Sequence, residues 1–310
     1  MYRKRRKIRY YSGPVSRERL RDKPWFPYAV IALAALVLAL IVGSILGGVA
    51  DKTGGKVYER KNLHDFGGVE EAEERFASVP ALDADYLSLS GMDNGDIRSA
   101  LSDLEFGDGV AVLLYEDGKV YYSTDLEDTT SVSLTEMSSV SLSTFADRAD
   151  SKGRVSIGVF VSSAFAEEGE AARILARAEE MAILSEIATS GMDELLLVGL
   201  PSDPALAVEV NAYLRELSAI LDGRMRLGVA VDGKEEAADM AHTVAVSVEY
   251  ADRFALDLRG LSDEELTAAI EANAYYLTYY RMRVMFDTRE QYEILSSYGV
   301  SGGILIGIND

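Results

Sequence analysis

Between Asp85 and Asp310 the chain repeats one unit about eight times: a short apolar run followed by a longer amphipathic stretch. The runs are Tyr86–Ser90, Val110–Tyr115, Val155–Val161, Leu195–Leu200, Leu227–Val231, Phe254–Leu258, Val284–Phe286 and Ile304–Ile308. Each is short enough for a strand buried on both faces, and most of the intervening stretches carry helical spacing. Eight such units in about 225 residues have the size and rhythm of an α/β (β/α)8 TIM-like barrel. In that architecture chemistry sits at the C-terminal ends of the strands. A doubly wound open sheet is the structural alternative.

Local punctuation supports the alternation. Asp203-Pro204 predicts an N-cap followed by proline at the first helical position. Ser262-Asp263-Glu264-Glu265 matches a capping box ahead of a helix bearing Leu266, Ile270 and Leu277. Gly191, Gly223 and Gly299 each close a helical stretch just before an apolar run, as left-handed caps do. Asp117-Gly118 between apolar runs predicts a hairpin, while Thr129–Ser143 is Ser/Thr-rich and only weakly helical. No helical stretch follows the eighth run, and residues 69–80 are expected to cover the place of the closing helix.

The N-terminus predicts an address. Residues 3–23 hold ten Lys/Arg against Glu18 and Asp22, and Phe26–Ala50 carries no charge. Those 25 residues are long enough to cross a hydrocarbon core of roughly 30 Å. The basic flank stays in the cytoplasm and the remaining chain lies outside. The expected organisation is therefore a basic cytoplasmic tail (1–25), a single transmembrane signal anchor (26–50), a juxtamembrane stalk (51–84) and the barrel (85–310). A cleaved signal peptide is the rival reading, but signal cores usually run only about 7–15 residues. Gly43 and Gly47 form a GxxxG that offers a homodimer face within the span.

Charge divides at the same place. With the first 25 residues set aside, 21 bases and 49 acids remain, a net charge of about −28. That balance argues against nucleic acid as a partner. The chain has no cysteine and only His64 and His242, so no Cys/His metal site can be built and a Ser-His-Asp triad is nearly excluded. No cofactor is expected.

Two segments carry a family resemblance: Glu116-Asp117-Gly118-Lys119-Val120-Tyr121-Tyr122-Ser123, and Gly191-Met192-Asp193-Glu194-Leu195-Leu196-Leu197. They resemble the end of the second strand and the entry to the fourth in glycoside hydrolase-like (β/α)8 proteins of Firmicutes, which are often tethered by an N-terminal membrane segment. The resemblance implies a carbohydrate-related barrel at the cell envelope. It also implies an Asp and a Lys just before the turn of the second strand, where this chain has Val112 and Leu114. The family's fourth strand typically ends in an acid, and here Val198-Gly199-Leu200 stands instead.

Three later runs end alike, in Asp232-Gly233-Lys234, Asp257-Leu258-Arg259 and Asp287-Thr288-Arg289. Acid and base two places apart point the same way along an extended chain. Asp257 and Glu116 are the candidate catalytic pair, since glycosidic cleavage uses two carboxyl groups. Asp117, Tyr115, Asp232, Arg259, Asp287 and Arg289 are the candidate substrate-binding residues, with Tyr121 and Tyr122 further stacking candidates and Asn309 and Asp310 joining from the eighth run. Asp232 and Asp287 also stand three residues before Glu235 and Glu290, which predicts helix capping. Asp257 reads equally as the partner of Arg259 in a structural ion pair. The expected function is binding of envelope glycan, or of an envelope protein, with hydrolysis weak or lost; an active glycosidase and a protein-interaction scaffold are the alternatives.

Overall fold

The computed structural model describes residues 76, 79–126, 134–300 and 302–306. The expected tail, membrane span and most of the stalk, the Gly43/Gly47 face, and Asn309 and Asp310 lie outside these residues. Among the described residues no helix is long and apolar enough to cross a membrane.

Eight parallel strands close on themselves, which excludes the open sheet. They are β1 (Ala84–Tyr86), β2 (Gly109–Glu116), β5 (Val155–Val161), β6 (Glu194–Val198), β7 (Arg226–Asp232), β8 (Arg253–Asp257), β9 (Arg283–Phe286) and β10 (Gly303–Leu305). Each pairs with the next, and β1 pairs with both β10 and β2 to complete the ring. The intervening helices are α1 (Ile97–Asp103), α2 (Leu142–Ser151), α3 (Glu170–Ile187), α4 (Ala207–Leu221), α5 (Ala237–Ser247), α6 (Asp263–Ala272), α7 (Ala274–Tyr279) and α8 (Arg289–Ser297). The first apolar run is displaced from its strand, because β1 begins at Ala84 and ends where the run starts.

The period-two alternation of the strands sorts the core into two layers. Ala84, Ala111, Ile157, Val159, Leu196, Val198, Ala230, Ala255, Met285 and Ile304 fill the barrel. Leu195, Leu197, Leu227, Val229, Phe254, Leu256, Val284 and Phe286 face the helices. Ala84, Ala111, Ala230 and Ala255 make room in the lumen for the larger Ile157, Val159, Leu196, Val198, Met285 and Ile304.

The floor of the lumen is charged. Glu194 is fully buried between Arg253, 3.5 Å away, and Arg283, which is in direct contact. Their strands start at the same end of the barrel, and alternation turns all three side chains inward. Gly228 on β7 leaves room for them, since a Cβ there would stand 2.9 Å from Glu194 Oε1. Burial pulls the Arg283 guanidinium down to about 10, which still leaves it charged near neutral pH. Periodicity alone does not reveal this cluster.

The local expectations divide. Asp203 caps the 3-10 turn Pro204–Leu206 through the Ala205 amide, and Ser262 forms the full capping box with Glu265. Asp117-Gly118 turns β2 into the antiparallel strand β3 (Lys119–Val120), both residues at positive φ as a type I′ hairpin requires. The Ser/Thr-rich stretch includes a short strand, β4 (Thr135–Glu136), against β3, before α2 begins. The helix opened at Ser262 is interrupted at Asn273, whose side chain donates back to the Ala269 carbonyl and separates α6 from α7. Most of residues 69–80, expected to cover the place of the closing helix, lie outside the described residues; Phe76 packs on Phe254 of β8, the sixth strand of the ring, and on Tyr280. Beyond β10, Phe106 reaches over to Phe286 and Tyr292.

Candidate functional site

One irregularity in β2 aims Glu116. Its register with β5 runs Leu113 to Val159 and then Tyr115 to Phe160, so Leu114 is an extra residue. Such a bulge reverses the alternation beyond it. Tyr115 then lies on the helix-facing side, and Glu116 turns toward the lumen at the barrel mouth. Val112 and Leu114 also belong to the helix-facing core. Their apolar character is therefore packing, not the loss of polar groups from the mouth.

β7, β8 and β9 bring the acids. Asp232 and Asp257 are register partners on adjacent strands. Arg259 closes on Asp257 with two side-chain bonds, Nε to Oδ1 at 2.9 Å and Nη2 to Oδ2 at 2.8 Å, and its amide adds a third to Oδ1 at 3.1 Å. Burial lowers the Arg259 guanidinium pKa. The bonds and charge of Asp257, with the charges of Asp287 and Glu116, more than offset that and hold it above its ordinary value. Arg259 thus feels all three acids.

The other members differ from expectation in instructive ways. Asp232 holds Lys234 in a half-exposed pair at 3.9 Å and accepts from the Lys234 amide at 2.9 Å. It makes a turn and caps no helix, because α5 starts only at Ala237. Asp287 accepts from the Gly260 amide, which ties the β8 loop to β9. The capping box of α8 belongs to Thr288 and Gln291, so the capping expected of Asp287 falls to its neighbour. Arg289 turns away from Asp287 and bonds Asp85 at 3.1 Å and Glu105 at 3.4 Å. The chain leaves β9 and enters a helix at Thr288, which ends the extended geometry that would have kept acid and base on one side.

Tyr115 is buried against Phe160, rings stacked 4.7 Å apart, with no face open to a ligand. Tyr122 is fully buried and donates to Glu186 at 2.9 Å. Tyr121 stays half-buried, its phenol raised first by burial and then by Glu116 and Asp117. Asp117 is exposed at the hairpin tip. Sequence reasoning missed Tyr86, the last residue of β1. It points into the lumen, is half-buried, and its phenol is raised by burial with Tyr121, Glu116 and Arg259 close enough to act on it. Parity along β1 is the signal that could have found it.

The mouth is therefore two-sided. Tyr86, Glu116, Tyr121, Asp232, Lys234, Asp257, Arg259 and Asp287 form a polar arc, whereas Val161 and Val198 leave the β5–β6 side apolar. Beneath that side Glu180 of α3 is buried with four donors on its carboxylate: Ser162 Oγ, the Ser163 and Ala164 amides, and Tyr213. It staples the loop after β5 to two helices. Among the described residues no group of three or more His, Asp or Glu side chains is arranged to hold a metal ion.

No protein-family model matches the chain, and no curated protein matches it in sequence. Solved structures match in overall shape. GH26C from Muricauda aligns over 76% of this chain and 81% of its own at 9% identity, with a TM-score of 0.46. D-psicose 3-epimerase in the presence of D-fructose aligns over 73% and 84% at 12% identity, TM-score 0.43. The Bacillus cereus spore cortex-lytic enzyme SleL aligns over 67% and 51% at 12% identity, TM-score 0.41. At these values the likeness says nothing of chemistry, and the fold rests on the strand pairings themselves.

Proposed function

We propose that this chain is a membrane-tethered, extracytoplasmic barrel of the glycoside hydrolase-like kind that binds envelope carbohydrate at its mouth, with hydrolysis weak or lost. The observation that carries the reading is the closed Asp257–Arg259 pair. A glycosidase needs one carboxyl group to deliver a proton and a second to attack or to activate water. Arg259 donors engage both oxygens of Asp257, so either task would have to compete with these bonds. The same pair is suited to binding. A fixed guanidinium donates to sugar hydroxyls, Glu116 and Asp287 accept from them, and Tyr86 and Tyr121 offer partly buried rings to an apolar sugar face.

One observation favours an active glycosidase as the second reading: among the described residues Glu116 enters no ion pair and stands on the same mouth as Asp232. The two readings separate in one experiment. The full chain in detergent is screened on a glycan array, and the retained glycan is assayed for new reducing ends, with Arg259→Ala and Glu116→Gln in parallel. Binding without cleavage, weakened in both variants, is the expected result. Cleavage abolished by Glu116→Gln would establish the enzyme. Absence of any glycan signal would sink the carbohydrate reading and leave a protein partner.

A further inference from the structure

The second site lies away from the mouth. α1 and α2 pack side by side, and between them runs a groove of about 350 Å3 lined by Arg98, Leu101, Arg148, Ser151 and Lys152. The last turn of α2 contributes Arg148 and Ser151 and leads within a few residues to the start of β5, so the groove lies toward the N-terminal ends of the strands.

Three cations converge there in a domain where acids outnumber bases by more than two to one. Among the described residues Arg98 and Arg148 enter none of the ion pairs that tie down other arginines such as Arg173, Arg259 and Arg289. Lys152 is held in place by Ser102 Oγ at 2.9 Å, a neutral partner that leaves its charge uncompensated. Helix electrostatics accounts for part of the cluster. Arg148 and Lys152 stand at the C-terminal end of α2, where a cation complements the macrodipole. Arg98 lies in the first turn of α1, where that same effect disfavours a cation, so the dipole offers no reason for it.

We propose that this groove binds the phosphate group of a phosphate ester. Two planar guanidinium forks and an ammonium suit a multiply charged tetrahedral anion better than a singly charged carboxylate. Buried Leu101 supplies an apolar floor for the carbon side of the ester. A groove of this size, just above the lower bound of about 300 Å3 usual for ligand pockets, holds a phosphate and a short organic group. The surrounding negative field makes the site short-ranged, which excludes a long polyanion such as nucleic acid.

The test uses the full chain in zwitterionic detergent, titrated with inorganic phosphate and followed by 31P line broadening and calorimetry. Saturable binding is expected, weakened at least about tenfold in the Arg98→Gln/Arg148→Gln double variant and untouched by Glu116→Gln. Circular dichroism checks that the double variant folds; Arg98→Gln alone serves if it does not. Glycerol phosphate and vesicles of phosphatidylglycerol in phosphatidylcholine then distinguish the sources. Preference for the soluble ester or for the anionic vesicle, each lost in the variant, supports the site and names its ligand. Absence of saturable phosphate binding, or equal binding by the variant, overturns it.

Discussion

Replacing Glu194 with leucine tests whether the charged floor of the lumen is a closed electrostatic unit. Glu194 is fully buried, and its two partners, Arg253 and Arg283, are almost as inaccessible. Glu194→Leu leaves both guanidiniums in the lumen without that counter-charge. Removing one partner of a buried pair costs about 3–5 kcal/mol, a large fraction of the roughly 5–15 kcal/mol that holds a domain folded. For a domain of this size each kcal/mol corresponds to about 2–4 °C, so the melting midpoint should fall by roughly 6–20 °C. Urea denaturation followed by tryptophan-independent far-UV dichroism gives the free energy directly. The triple variant Glu194→Leu, Arg253→Met, Arg283→Met is the decisive control, because replacing a whole buried ionic cluster with apolar groups is often neutral or stabilising. A single variant within about 1 kcal/mol of wild type, or a triple variant worse than the single, would refute the reasoning.

Three further outcomes follow from the geometry. Burial lifts the Glu180 carboxyl above its ordinary value, partly offset by bonds from Ser162, Tyr213, Ser163 and Ala164. Between its unfolded and folded pKa the native state then holds more protons, so this contribution is fully present below the unfolded value and is lost as pH rises through the folded one. The stability of wild type relative to Glu180→Gln should accordingly shrink as pH rises above the ordinary carboxylate range, and a difference that grows with pH refutes the assignment. Gly118→Ala forces an L side chain to φ +75 in the β2–β3 turn and should cost more than about 1 kcal/mol, read as a lower urea midpoint. Because Glu116 borders that turn, the same variant should also weaken glycan binding. Ser262→Ala removes one half of the capping box of α6 and should cost about 1 kcal/mol, measurable in the same denaturation series.

Local chemistry was readable from the residues in order. Ser262 through Glu265, Asp203-Pro204 and Asp117-Gly118 each carry a motif complete within four residues, and each forms the structure its motif predicts. The pairing of Asp257 with Arg259 was readable for the same reason, since the two stand two residues apart where the strand ends and the chain turns. The expectation failed where one residue changes the local path. Thr288 begins a helix cap and sends Arg289 to Asp85 on β1, far away in sequence. Leu114 inserts a bulge, which buries Tyr115 and turns Glu116 into the mouth. Neither change alters composition or hydrophobic period enough to be seen beforehand.

The apolar runs by themselves determined an eight-unit α/β chain, because a strand buried on both faces demands an apolar sequence whatever it packs against. Ring closure was decided in three dimensions, where β1 meets both β10 and β2. So was the lumen: the inward set is chosen by register across strands, which no single run contains. Glu194, Arg253 and Arg283 come from three separate strands, and at the other end Glu116 and Asp257 end two strands while Asp287 directly follows a third. Their function depends on distances between strands, and those exist only once the ring has closed.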